Sequence, residues 1–209
     1  RVPLILLQTA IIHNWSYNNT MNKIFLLILF LLIKSVYLPL NKRKSKYYWK
    51  IKVIDDKIPL IPVFIIPYLG YFIYIITTIV LLWNSTVINT FFVTYIISYI
   101  IAGFFWYFIP NGVKRPVIKG KDIFSRLIAL IYKYDDDTNG FPSAHIFATL
   151  MCSYFLFLVF PQQIILISTI TLLISSSTVL VKQHYILDIV GGIIVFWLSI
   201  TIGGLFGKI

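Results

Sequence analysis

A histidine and an aspartate stand four residues apart near the end of the chain, as His184 and Asp188. On a helix this spacing places both side chains on one face. The carboxylate can then accept the Nδ1–H of the imidazole, which fixes the tautomer and leaves Nε2 free as a nucleophile or base. Because Asp188 opens an apolar stretch, its ionised form needs a partner there. The pair is a candidate catalytic dyad, and a structural polar pair at a helix end is the competing interpretation.

A second histidine, His145, follows Pro142 and Ser143 at the start of another apolar run. Proline suits the first turn of a helix, serine can cap it, and the free amides of a helix N-terminus bind anions. A phosphate held near Ser143 would lie close to His145. Arg115, which stands beside Lys114, offers a fork of donors to the same phosphate. The alternatives are a structural histidine and a cation that only anchors the chain at lipid headgroups.

Together these residues suit phosphoryl transfer. They provide a nucleophile, an orienting carboxylate, an acid for the leaving group and cations for the developing charge. A metal site of His145, His184 and Asp188 is the alternative chemistry. The nearby Arg115 and Lys182 favour an anion over a metal cation, so we expect no metal and no cofactor.

The chain that must position these residues is strongly apolar. It has 209 residues, of which 59% are hydrophobic and 12% are charged, whereas soluble domains carry about 25% charged residues. The mean hydropathy is +0.88. This composition excludes a soluble globule and a disordered chain, and the single cysteine, Cys152, excludes a disulfide scaffold. The sequence predicts an all-α polytopic membrane bundle.

Six apolar runs predict the membrane helices, because each approaches the length that spans a bilayer. The runs are Ile24–Leu40, Ile61–Trp83, Val87–Ile109, Ser143–Phe160, Ile164–Val181 and Tyr185–Phe206.

The first of these runs is the weakest, since it contains Lys34 and follows Lys23, as in a signal peptide. Without a small-residue cleavage site, we expect a retained helix. Residues 1–20 precede Met21 and are a possible upstream extension, so one membrane domain is predicted over residues 21–209. In the second of the two long polar connections, Pro110–Pro142, the segment Ile123–Tyr134 mixes apolar and basic residues and predicts a short interfacial helix.

Charge falls mostly on one face of this arrangement. All seven acidic residues and 14 of the 18 basic residues lie in the loops at one side of the six runs. The net charge of +11, without a separate basic soluble domain, favours anionic headgroups or phosphate over nucleic acid as partner. The count of Lys and Arg favours the cytoplasm for this face.

The three motifs resemble the type 2 phosphatidic acid phosphatase superfamily of lipid phosphatases and haloperoxidase-like enzymes. That family has Lys, six residues and Arg-Pro, then Pro-Ser-Gly-His, then Ser-Arg, five residues, His, three residues and Asp. The resemblance extends from about Ile54 to Gly207. The matching positions are Arg115-Pro116, Pro142, Ser143, His145, Ser177, His184 and Asp188.

Three positions depart from the family pattern. Phe108 occupies the position of the Lys, Ala144 that of the Gly and Thr178 that of the Arg. Lys114, beside the Arg-Pro pair, is a candidate for one missing cation. Lys182 is the other candidate, since on a continued helix it would share the side of Thr178. The sequences Phe-Pro-Ser-x-His and Lys-Gln-His-Tyr resemble the motifs of one branch of the superfamily. That branch includes inositol phosphorylceramide synthases, which transfer a phospho-headgroup.

The resemblance implies a phosphatase that acts on phosphatidate or a related lipid phosphate through a phosphohistidine. In that scheme His184 attacks phosphorus, Asp188 orients it, and His145 protonates the leaving alkoxide and then activates water or an alcohol. No metal or cofactor takes part. The implied phosphate-binding residues are Arg115, Ser143, Lys182 and Lys114.

Two other functions stay open at this point. One is a phospho-headgroup transferase resembling inositol phosphorylceramide synthase, and the other is a non-catalytic membrane protein whose site has decayed. For location, we expect an integral protein of the cell membrane. The resemblance implies an extracytoplasmic site, against the Lys and Arg count, and we favour the resemblance.

Overall fold

The protein is a bundle of helices. The computed structural model describes residues 22–206. No β-strand occurs in this range, although an isolated bridge joins Tyr47 to Asn111. The predicted extension over residues 1–20, with its boundary at Met21, lies outside the described part. The longer helices are α1 (Asn22–Asn41, with a turn at Val36), α2 (Ile65–Leu82), α3 (Ile88–Phe108), α4 (Ile123–Tyr134), α5 (Ala144–Val159), α6 (Ile164–Leu180) and α7 (Ile186–Phe206). A single helical turn, Lys52–Asp55, lies in the loop between α1 and α2.

All six predicted apolar runs form helices, but they differ in length. Among the described residues, five helical segments are long and apolar enough to cross a membrane, which indicates an integral membrane protein. The sixth, α5, has only 16 residues, or about 24 Å at 1.5 Å per residue, against about 30 Å of hydrocarbon. The prediction of six full spans is therefore confirmed only for five.

Helix α5 lies at the centre of the bundle, where it packs against α2, α3, α6 and α7. Its Phe147 and Phe155 are fully buried. Edge contacts join Phe155 to Phe91 of α3, with ring centroids 5.6 Å apart. Because lipid tails are as apolar as these side chains, close packing rather than exclusion of water holds such helices together. A short central helix is thus shielded from lipid by its longer neighbours.

Helix α4 begins and ends at the residues that the sequence predicted, Ile123 and Tyr134. Asp122 caps it by accepting hydrogen bonds from the backbone N–H of Phe124 and of Ser125. The Ser125 hydroxyl also donates to this carboxylate, at 2.6 Å, and these hydrogen bonds lower the pKa of Asp122. Ile128 is buried against the bundle, so the predicted amphipathic helix is confirmed.

Candidate functional site

The turn between α6 and α7 places His184. Helix α6 ends at Leu180, and Lys182 adopts a left-handed backbone with φ 56°. The carbonyl oxygen of Thr178 then accepts hydrogen bonds from the N–H groups of Gln183 and His184, at 3.0 and 3.1 Å. Such a turn satisfies carbonyls at a helix C-terminus. It reverses the chain sharply, and His184 comes to lie just before α7.

This turn corrects the expectation for Lys182. The helix does not continue through it, so Lys182 does not share the helix side of Thr178. Its ammonium instead donates to the carbonyl oxygens of Asp55, at 3.2 Å, and Ile58. Partial burial lowers the pKa of Lys182. The side chain therefore holds the loop before α2 and does not line the cavity of the two histidines.

His184 and Asp188 form the predicted pair. Nδ1 of His184 lies 3.4 Å from Oδ2 of Asp188, and both side chains are buried. This separation is longer than that of a well-formed hydrogen bond. The same Oδ2 accepts the backbone N–H of Tyr185 at 2.8 Å, which fixes the carboxylate at the start of α7. The pair can tighten into a hydrogen bond when the imidazole gains charge.

The start of α5 is held against the start of α7. The N–H of Ser143 donates to the backbone carbonyl of Asp188 at 3.0 Å, and Trp106 Nε1 donates to the carbonyl of Pro142 at 3.2 Å. Glycine at position 192 permits this approach, since a Cβ there would lie 2.9 Å from the Ser143 carbonyl oxygen. The close approach of α5 to α7 brings His145 toward His184.

The two histidine rings are adjacent in an edge arrangement, with centroids 5.9 Å apart and planes at 62°. His145 stacks on Tyr68 at 4.4 Å and lies 4.2 Å from the ring of Tyr71. Its Nε2 has no hydrogen-bond partner within residues 22–206. The tyrosine rings fix the plane of this imidazole while leaving a nitrogen available to a ligand.

A cavity of about 620 Å³ lies beside the histidines. Helix α1 forms one wall, and α2, α4 and the start of α5 form the others. His145, His184, Gln183 and Arg115 line it together with largely apolar and aromatic side chains. Concave, mostly apolar sites with a few convergent polar groups are typical of small-molecule binding.

Arg115 reaches this cavity but already has protein partners. Its guanidinium donates to the backbone carbonyls of Asp135, at 2.5 Å, and Asp136, at 2.8 Å, and to Oε1 of Gln183. It also lies 4.9 Å from the ring centroid of Tyr132. Burial raises the pKa of the Asp135 carboxyl, although the charge of Arg115 opposes this shift. Arg115 thus joins the end of α4 to the residue before His184.

The other predicted phosphate-binding residues lie apart from the cavity lining. Ser143 occupies the N-cap position of α5, but its hydroxyl makes no capping hydrogen bond and is fully buried. Lys114 is exposed, and its ammonium lies 5.2 Å from the ring centroid of Tyr48. The fold therefore places His145, His184 and Arg115 in the cavity lining and joins Ser143 to Asp188 behind them, whereas Lys114 and Lys182 lie elsewhere.

Sequence reasoning missed the contribution of α1 and α2 to this site. Lys34 and Tyr37 of α1 line the cavity, as do Tyr68 and Tyr71 of α2. A lone lysine within an apolar run was the available signal for Lys34. Nothing in the local pattern of α2 distinguished its site tyrosines from the rest of its apolar face.

Asp55 fastens the first loop to the start of α7. This buried carboxylate accepts the N–H of Ile51 at 2.7 Å and that of Ile186 at 3.0 Å. Ile186 is the first residue of α7, so Asp55 caps that helix from another part of the chain. The same helix carries Asp188, and the cap therefore supports the His184–Asp188 pair indirectly.

Replacing Asp55 with Ala is expected to destabilise the protein, because two buried N–H groups lose their acceptor. Loss of such a cap costs about 1–2 kcal/mol, or a fall in Tm on the order of 5 °C. Thermal unfolding in detergent measures it. Asp56→Ala is the matched control, since Asp56 makes an exposed ion pair with Lys50 and such pairs contribute little. Equal shifts for the two variants would contradict the capping role.

The described part of the chain holds no group of three His, Cys, Asp or Glu side chains close enough to bind a metal ion. The fold and the paired histidines define a polytopic helical membrane protein with a buried polar site. Comparisons of the chain with protein-family models, curated proteins and solved structures give no significant match. The resemblance to the phosphatase superfamily thus depends on its motifs.

Proposed function

We propose that the protein is a membrane enzyme that hydrolyses the phosphate ester of phosphatidate or a related lipid phosphate. The observation that carries this proposal is the buried His184–Asp188 pair next to His145 beside one cavity. His145 lies at the start of α5 and His184 lies just before α7, so the structure of one helix alone does not explain why the two side chains are adjacent. The motif resemblance supports the same reaction class.

In the first step Nε2 of His184 attacks phosphorus, and the bond from phosphorus to the lipid oxygen breaks. His145, in its protonated form, gives its proton to the leaving alkoxide, so the lipid departs as an alcohol. Asp188 holds the His184 ring and balances the positive charge that forms on it. The product of this step is a phosphohistidine.

In the second step His145, now neutral, takes a proton from water as the water oxygen attacks phosphorus. The bond from Nε2 to phosphorus breaks, inorganic phosphate leaves, and both histidines return to their starting forms. An acceptor alcohol in place of water would give a transferred phospho-headgroup instead. Exclusion of water from the cavity decides between these acceptors.

The two histidines lie close enough to act on one phosphoryl group. A reacting phosphorus lies about 3–3.5 Å from its nucleophile before attack, and the leaving oxygen lies about 2.6–3.2 Å from its acid. An in-line arrangement therefore needs roughly 7 Å between the two reacting nitrogens, which is more than ring centroids 5.9 Å apart provide directly between the rings. We therefore expect the phosphoryl group to bind on the cavity side of both rings, with His184 as its nucleophile and His145 as its acid.

A lipid substrate is supported by the rim of the cavity. Leu31, Leu38 and Phe72 line it and are 54%, 65% and 48% exposed on the bundle surface. In a bilayer these side chains face hydrocarbon, so acyl chains can remain in the membrane while the phosphate enters. The resemblance also supports a location in the cell membrane with an extracytoplasmic site.

Purified protein in phosphatidate-containing nanodiscs is expected to release inorganic phosphate, with the rate unchanged by a metal chelator. A parallel panel of lipid phosphates, with and without inositol or other alcohol acceptors, identifies the substrate. Phosphate release into water supports the phosphatase, whereas headgroup transfer to an alcohol supports the transferase. Protein that is folded but inactive on the whole panel would overturn the proposal in favour of a decayed site.

A further inference from the structure

A lysine inside the first membrane helix faces the cavity. Lys34 lies seven residues before the end of α1 at Asn41, or about 10 Å along the helix axis. It lines the same cavity as His145 and His184. A cation at this depth is costly in a membrane unless it pairs with another group or reaches water.

The contacts of Lys34 are with aromatic rings. Its ammonium lies 5.7 Å from the ring centroid of Phe30 and 5.9 Å from those of Tyr71 and Phe72. No hydrogen bond or ion pair from Lys34 to another residue occurs within residues 22–206. Ring faces attract a cation, but they leave its three N–H donors without acceptors.

The other cations of the cavity have protein acceptors. Arg115 donates to two backbone carbonyls and Gln183. Lys42 donates to the carbonyl of Tyr134 and pairs with Asp136, both at 3.1 Å. Of the lysines and arginines that line the cavity in the described range, Lys34 alone has no acceptor among residues 22–206.

Lys34 and His145 also share their surroundings. Both approach the rings of Tyr71 and Phe72, with His145 centroid distances of 4.2 and 6.3 Å. An anion bound beside His145 would therefore meet the ammonium of Lys34 across the same aromatic wall. Phosphate oxygens are strong acceptors for a lysine.

We propose that Lys34 binds a non-bridging oxygen of the phosphate group that His145 and His184 contact in the cavity. This role depends on the proposed function for the identity of the substrate, but the anion site itself does not. A cation from α1 thereby takes the place of the positive groups that the motif pattern lacks at Phe108 and Thr178. Lys34 stabilises the charge that builds on the phosphoryl oxygens during transfer.

The test compares Lys34→Met and Lys34→Gln with Lys34→Arg. The matched control is Lys23→Met, which removes a lysine of the same helix outside the cavity lining. Binding of inorganic phosphate and of orthovanadate is measured by calorimetry in detergent, and binding of phosphatidate in nanodiscs. The two uncharged variants are expected to weaken anion binding at least about tenfold, with Lys34→Arg retaining most of it.

The two binding measurements identify the source of the phosphate. If the uncharged Lys34 variants bind only phosphatidate more weakly, the ligand is a lipid headgroup. If they also bind inorganic phosphate more weakly, the site recognises the phosphate group itself. If Lys34→Gln and Lys34→Met bind both ligands like the wild type and Lys23→Met, the proposal is wrong. Absence of binding to the wild-type protein also overturns it.

The outcome separates the two proposals. Anion binding that depends on Lys34 in a protein without turnover would support the anion site and reject the phosphatase. Turnover that is unchanged in Lys34→Met would support the phosphatase and reject the role of Lys34. Thermal unfolding confirms that each variant is folded, and if Lys34→Met unfolds, Lys34→Gln decides the question.

Discussion

Replacing His184 with Ala is expected to abolish phosphate release from lipid phosphates, with a loss on the order of 10³-fold or more. The substitution removes the nitrogen that is proposed to form the covalent bond to phosphorus. Neither His145 nor Asp188 can take its place, because one is fixed between tyrosine rings and the other is fully buried. Steady-state release from phosphatidate measures the loss.

The covalent intermediate gives a second measurement. Wild-type protein mixed briefly with radiolabelled phosphatidate and quenched with base is expected to carry a label that acid removes, as phosphohistidine does. His184→Ala should carry none. The control is Gln163→Ala, since Gln163 is exposed in the turn before α6 and far along the chain from the site. Wild-type turnover by His184→Ala would place the nucleophile elsewhere.

Much of the scaffold could be predicted because it depends on local patterns. Apolar runs bounded by polar loops predict helices of this length, and the mixed apolar and basic pattern of α4 predicted both of its ends, Ile123 and Tyr134. The pairing of His184 with Asp188 was also predicted, although His184 lies two residues before α7 and the turn, rather than a helical face, brings the side chains together. Each of these features needs only neighbouring residues.

The cation positions could not be predicted in the same way. Helix α6 ends at Leu180, and Lys182 adopts a left-handed backbone conformation. Its ammonium therefore does not lie beside Thr178, as it would on a continued helix. The donors of Arg115 are used by carbonyls about 20 residues further along the chain. Lys34 lines the same cavity as the histidines because α1 lies against the rings of Tyr71 and Phe72 on α2. Such contacts depend on how the helices assemble, which residue spacing does not specify.

Replacing Asp188 with Asn is expected to lower kcat roughly 10²- to 10⁴-fold while leaving KM and Tm nearly unchanged. The amide oxygen of Asn can still accept the N–H of Tyr185, which Oδ2 of Asp188 accepts at 2.8 Å. The start of α7 therefore keeps its hydrogen bond. What is lost is the negative charge 3.4 Å from Nδ1 of His184, which balances the imidazolium formed as the ring attacks phosphorus.

The control for this substitution is Asp137→Asn, a carboxylate on the same charged face that bonds to Ser45 and Tyr48. Its kcat should stay within about threefold of wild type, because its carboxylate accepts from the hydroxyls of Ser45 and Tyr48 and does not line the cavity. Thermal unfolding of both variants separates loss of charge from loss of structure. If Asp188→Asn keeps the wild-type kcat with an unchanged Tm, the carboxylate only stabilises the helix start, and another group must orient His184.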